Sequence, residues 1–158
     1  MKKLIILVVA LGICILFIGC DKKSVSKISN EKTVLKGSNT VSVKVQNTKD
    51  FIKSLENSGF KPKTTKQVNE GLISGDLTIV NINEDTIGVY EYKNNEEMEK
   101  GAKPISSNGS MIGGAIYEWI SKVHFYKNGN IIVLYMGINI ETIKEIEKLL
   151  GKQFAGDL

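Results

Sequence analysis

Val123-His124-Phe125-Tyr126-Lys127-Asn128-Gly129-Asn130-Ile131-Ile132-Val133-Leu134-Tyr135-Met136-Gly137 is the stretch that decides how this chain folds. Asn128-Gly129 tolerates positive φ and suits a two-residue type I′ turn. Both flanks are rich in β-branched and aromatic side chains, so the stretch reads as a β-hairpin. Its second arm, residues 131–136, is apolar at every position. A strand of that kind has both faces covered and belongs in the middle of a sheet. The run is far too short for a membrane span, which takes about 20 apolar residues in a helix.

Working outward, Asn139 caps a helix on which Ile143, Ile146 and Leu150 form one stripe, and Gly151 ends it. The tail 153–156, with Phe154 as its only large apolar residue, is expected to dock back onto the domain. Upstream, residues 111–120 read as a strand loosened by a bulge at Gly113-Gly114. Asn94 caps a helix whose early acids, Glu96, Glu97 and Glu99, suit the positive end of the helix dipole, and Pro104 stops it. Residues 72–82 read as a strand kinked near Gly75-Asp76, which Asn83-Glu84-Asp85 turns into a second strand over 86–92. Asn47 or Thr48 caps a first helix with Phe51, Ile52 and Leu55 on one face and Gly59 at its end, after which Lys61-Pro62-Lys63 lead outward. The order α, β, β, α, β, β, β, α with short connections specifies an α+β domain over residues 45–158. Its expected architecture is a single antiparallel sheet packed against about three helices.

The opening stretch also carries a resemblance. His124-Phe125-Tyr126-Lys127-x-Gly129-x-Ile131-Ile132-Val133-Leu134-Tyr135-x-Gly137, followed by Leu150-Gly151-x-Gln153-Phe154-Ala155-Gly156, resembles a family of small secreted lipoproteins of Gram-positive bacteria. The likeness covers residues 50–156 and implies a secreted, lipid-anchored protein with no assigned biochemical role. Val123 stands where the family usually has Pro, and Met111-Ile112-Gly113-Gly114 where it tends to have Ser-Ile-Gly-Thr.

Residues 1–19 read as a targeting segment to be set apart from the fold. Lys2 and Lys3 are followed by an apolar run over 4–18 and by Phe17-Ile18-Gly19-Cys20, which resembles a bacterial lipobox with Phe17 where Leu is usual. Gly19 and Cys20 would flank the cleavage, and the Cys20 thiol would take the lipid, palmitate or a similar acyl chain. Each buried methylene adds about 0.8 kcal/mol, and two acyl chains suffice for stable anchoring. The protein is thus expected at the cell membrane, facing outside the cytoplasm. Cys14 leaves with the signal segment and Cys20 is consumed by lipid, so the domain holds no thiol for a disulfide, a nucleophile or a metal.

Residues 20–44 are mostly Lys, Ser, Asn and Thr and read as a flexible tether. A flexible chain of about 20 residues has an r.m.s. reach of about 25 Å. The alternation over 40–46 reads as an edge strand or as the last part of that tether.

Every basic residue is a lysine. From Lys22 to Lys66 eleven lysines face three acids, whereas from Gln67 onward eight face thirteen. A basic half beside an anionic membrane explains this polarity, as does plain solubility of a tether. Nucleic acid is a poor partner, because the bidentate Arg contacts to bases are missing and the chain is exported.

Candidate chemistry is sparse. His124 is the only histidine, so no multi-histidine metal site exists and no cofactor or metal is expected. Its plain reading is a strand residue packing beside Phe125 and Tyr126, with Glu118 across a turn if Trp119 and His124 pair. Glu91 and Glu118, flanked by Tyr90, Tyr92, Tyr117 and Trp119, form the pattern of a two-carboxylate carbohydrate site, and equally that of carboxylates on an open sheet face. Gly109-x-x-x-x-Gly114 lacks the Lys-Ser/Thr of a phosphate loop. The reading that results is a non-enzymatic binding module with no catalytic residue, its candidate binding residues His124, Glu118, Trp119 and Glu91, and its partner an envelope protein or small ligand. The alternative is a hydrolase acting on envelope carbohydrate.

Overall fold

Residues 44–66 and 71–157 are described by the structure, a computed structural model. The expected signal segment, lipobox and tether through residue 43 lie outside them. Asn47 opens the first helix, α1 (Thr48–Asn57), its side-chain oxygen accepting from the Asp50 N–H at 2.9 Å. There follow β1 (Lys63–Lys66), β2 (Asp76–Ile82), β3 (Asp85–Glu91), α2 (Asn95–Ala102), the two-residue strands β4 (Met111–Ile112) and β5 (Ala115–Ile116), β6 (Val123–Asn128), β7 (Ile131–Met136), α3 (Ile140–Leu150) and β8 (Ala155–Gly156). Six strands form one antiparallel sheet in the order β1-β2-β3-β7-β6-β8, and β4 pairs with β5 in a separate small hairpin. The domain is α+β.

The uniformly apolar β7 lies between β3 and β6, where both of its faces are needed. Ile131, Val133 and Tyr135 join Val80, Ile82, Ile87 and Val89 on one face, covered by Phe51 and Leu55 of α1 and Ile146 and Leu150 of α3. Ile132 and Leu134 join Val123 and Phe125 on the other, covered by Met98 and Ala102 of α2 and by Ile105 and Ile112. The sheet therefore has two cores, and a strand alternating polar and apolar residues could not serve both.

The structure corrects several local expectations. Asn128 pairs with Ile131, so the hairpin loop is Gly129-Asn130, and only Gly129 has positive φ, at 57°. Glycine at the first loop position is the requirement of a type II′ turn. A side chain there would also collide with the backbone carbonyl of Gln46. Gly113-Gly114 is not a bulge in one strand: with φ of 59° and 87° it is the turn between β4 and β5, and residues 117–122 are irregular. The second strand begins at Asp76, not at 72, and the third runs Asp85–Glu91. The segment after Pro62 does not simply lead outward; it adds β1 alongside β2, from Lys63 opposite Asn81 to Lys66 opposite Thr78. Its residues are all exposed, so it has no hydrophobic signature and is held through its backbone. Residues 44–46 form no strand, although Val45 is buried, and the tail docks as β8 on the outer side of β6.

Candidate functional site: the groove beside His124

Leaving β7, the chain must reverse to lay α3 against the sheet, and a polar knot secures the reversal. The Tyr135 hydroxyl donates to Asp85 Oδ1 at 2.8 Å and accepts from the Asn139 N–H at 3.2 Å. Asp85 Oδ2 accepts from Asn139 Nδ2 at 2.8 Å and from the Thr142 hydroxyl at 2.6 Å. One carboxylate thus ties the β2–β3 turn to the start of α3. The reversal leaves Ile138 and Ile140 pointing outward, 74% and 57% exposed.

Across from them lies β6. His124 alternates with Val123 and Phe125, so it faces the α3 side, where it is 5% exposed and stacks on Tyr135 with ring centroids 5.9 Å apart. Its Nδ1 lies 2.7 Å from Gln153 Oε1 and its Nε2 lies 3.2 Å from the Gly137 carbonyl oxygen. Gln153 donates its Nε2–H to the Asp157 carbonyl at 2.9 Å, which orients the amide so that its oxygen meets the ring. Both ring nitrogens therefore face acceptors; a neutral imidazole donates to one and the protonated ring to both. His124 is a structural clip between β6, the β7–α3 turn and the tail.

Between β6 and α3 these residues leave a groove of about 430 Å³, walled by Ile138, Ile140 and Ile143 and floored by His124 and Tyr126. Glu147 and Asp157 are the carboxylates along it and Lys122 the cation. Such a lining suits an apolar side chain or small molecule with a polar end. Among the described residues, no group of three or more His, Cys, Asp or Glu is placed to hold a metal.

Two tyrosines at this site shape the alkaline behaviour. Burial, and then Glu147 and Tyr135, push the Tyr126 phenol up to about 12. Burial and the bond to Asp85 do the same for Tyr135, also to about 12. The folded chain keeps these protons where the unfolded chain releases them. The stability they contribute is complete below about pH 10 and is lost as pH rises from there towards 12. Urea unfolding should show a midpoint that falls above about pH 10, less steeply in Tyr126→Phe.

The other sequence candidates are not brought to this groove. Glu91 Oε2 accepts from the Thr48 N–H at 3.1 Å at the start of α1, and Glu91 lines a separate cavity with Asp76, Tyr92, Glu97 and Lys100. Neither Glu118 nor Trp119 lines that cavity. Glu118 is exposed on the irregular connector before β6. Trp119 donates its indole N–H to the Gly109 carbonyl at 2.9 Å, stacks on Tyr117 and meets Phe125 edge-on, so it is a lid on the second core. It does not pair with His124, whose strand partners are Tyr135 and Gly156.

Ile138, Ile140 and Gln153 escaped the sequence reading as site residues. Their signal was weak: two isoleucines either side of the Asn139 cap, one of them off the buried stripe of the helix. The structure also places the two motifs that carry the lipoprotein resemblance side by side. His124 meets Gln153, the Phe125 and Phe154 rings lie 6.3 Å apart, and Phe125 pairs with Ala155.

Replacing His124 with Gln keeps a donor and should cost about 1 kcal/mol or less, whereas His124→Ala strands the Gln153 oxygen and should cost about 1–3 kcal/mol. Urea unfolding of the two variants separates these values. Compared with known proteins, the chain has no match among family models, curated proteins or solved structures.

Proposed function

We propose that this chain is a lipid-anchored, extracytoplasmic binding module of the small Gram-positive lipoprotein kind, held at the cell membrane through Cys20. Its groove beside His124 takes an apolar side chain or small ligand of an envelope partner. The observation that carries the binding part is the exposure of Ile138 and Ile140 at a groove whose floor is fully built. Monomeric proteins seldom leave large apolar side chains grouped without use. The anchoring part is supported by Lys2-Lys3, the apolar run and Gly19-Cys20.

The groove is tested by placing a photo-crosslinking amino acid at Ile138 and, separately, at Lys103, exposed after α2 on the side of the second core. Irradiation of intact cells should give a discrete adduct from position 138 and none from 103. Equal labelling from both positions, or none from 138, would remove the groove as a binding surface.

A further inference from the structure

The groove beside His124 has two unlike ends, because β6 and α3 run in the same direction along its walls. The Gly137 N–H donates to the Lys122 carbonyl at 2.9 Å, which sets Ile138 beside the start of β6. At the other end the Asn128 side chain donates to the Leu150 carbonyl at 3.3 Å, tying the end of β6 to the end of α3. Between these ties Lys122, His124 and Tyr126 alternate along the strand on the groove side, and Ile140, Ile143 and Glu147 follow one face of the helix. Seven residues separate Ile140 from Glu147, about 10 Å along the helix axis.

Charge is spread unevenly over this length. At the Ile138 end Lys122 is matched by Asp157, whose Oδ2 accepts from the Val123 N–H at 3.1 Å. At the opposite end Glu147 is exposed, in the last turn of α3 where the helix dipole is negative. The ion pairs among the described residues join Lys100 to Glu96, Lys127 to Glu99 and Lys148 to Glu145, and none of them draws on Glu147. Beside it lies the Tyr126 phenol, on which Glu147 acts through its charge and to which no described residue is bonded. His124, by contrast, has both ring nitrogens engaged. The acceptors left open in the groove therefore gather at the Glu147 end, and the wall leading to them is isoleucine.

We infer that the groove selects a small aliphatic amine, its hydrocarbon chain lying along Ile138, Ile140 and Ile143 and its ammonium group at Glu147 and Tyr126. Such selection presupposes that the groove is a binding surface, as proposed above, and adds the sign of the ligand's charge. The Glu147 carboxylate pairs with the ammonium, the phenol oxygen accepts a second of its three N–H groups, and the third stays in water because this end of the groove is open. The cation thus keeps a full set of partners while its chain leaves water for the isoleucine wall. A carboxylate in the same place would meet Glu147 with like charge, and an alcohol would forgo the ion pair. The volume of about 430 Å³ is that of a small-ligand site.

The test titrates the chain from residue 20 onward, carrying Cys20→Ala, with octylamine, octanol and octanoate, three probes that share a chain and differ in charge. Isoleucine methyl signals are followed by NMR. At pH 7 the amine is protonated, as a lysine side chain is. The expected result is that the methyl signals of Ile138, Ile140 and Ile143 move with each probe. Octylamine should bind about fivefold more tightly than octanol, the gain of a partly exposed ion pair, and octanoate should bind most weakly. Glu147→Gln should bring octylamine to the level of octanol, with octanol binding and the urea midpoint unchanged. Glu118→Gln, which removes an exposed carboxylate outside the groove, should leave the preference intact. Equal binding of the three probes, or a preference for octanoate, would overturn the inference while leaving the groove as an apolar site. A preference that survives Glu147→Gln, or falls equally in Glu118→Gln, would overturn it too. Failure of all three probes to bind would also overturn it, and the crosslinking from position 138 then decides the groove independently.

Discussion

Protein carrying Cys20→Ala is expected to leave the membrane fraction almost completely, appearing as unprocessed precursor or as free protein in the medium. The size of the effect follows from what the thiol would carry. Transfer of acyl chains into the bilayer contributes about 0.8 kcal/mol for each methylene, so two chains outweigh by many powers of ten the attraction of a few lysines. The mutation touches no residue of the described domain, which begins at Lys44, so the purified variant should unfold at the same urea concentration as its parent. Normal processing together with tight membrane association of the variant would refute lipidation and leave some other device to hold the protein at the membrane.

Leu150→Ala is expected to be the most damaging single truncation at the end of α3, costing about 2–5 kcal/mol. Leu150 is 5% exposed in the core shared by α1, α3 and one face of the sheet, beside the fully buried Ile146 and Tyr126. Two consequences combine there: the transfer energy of the lost methylenes and the cavity left against groups that cannot follow. Its carbonyl also accepts from the Asn128 side chain at 3.3 Å, which holds the end of the helix to the hairpin and limits relaxation. Against a typical domain stability of about 5–15 kcal/mol such a loss is severe. It should appear as a lower urea midpoint with an unchanged slope. A loss below about 0.5 kcal/mol is the surface range and would place Leu150 outside the core.

Much of the architecture is readable from local rules acting within a few residues. Asn47, Asn94 and Asn139 cap the three helices because a side-chain oxygen two or three residues ahead of a free N–H is all that a cap requires. The unbroken apolar run of β7 announces a strand covered on both sides, and the stripe of Ile143, Ile146 and Leu150 announces the face of α3. Errors appear where tertiary pairing overrides local preference. Asn128-Gly129 favours one turn register, but pairing of Asn128 with Ile131 shifts the loop to Gly129-Asn130. Lys63–Lys66 carries no pattern that marks a strand, because an edge strand exposed along its length is selected by the hydrogen bonds its neighbour offers.

The candidate site divides in the same way. The sequence by itself determined which chemistries are available: one imidazole, no thiol within the domain, no arginine, a polarised set of lysines, and a Gly19-Cys20 pair in a stretch that resembles a lipobox. These are matters of inventory and need no coordinates. Only the tertiary structure decided that His124 is a buried clip bonded to Gln153 and Gly137, and that Glu91 caps a helix while Glu118 stands in solvent. It also decided that Ile138 and Ile140 remain exposed beside a groove. The reason is distance along the chain. His124 and Gln153 are 29 residues apart, and Asp85 and Thr142 are 57 apart. Contacts of that separation depend on strand order and helix placement, which emerge when two cores are packed at once, and the identity of the contacting residues does not encode them.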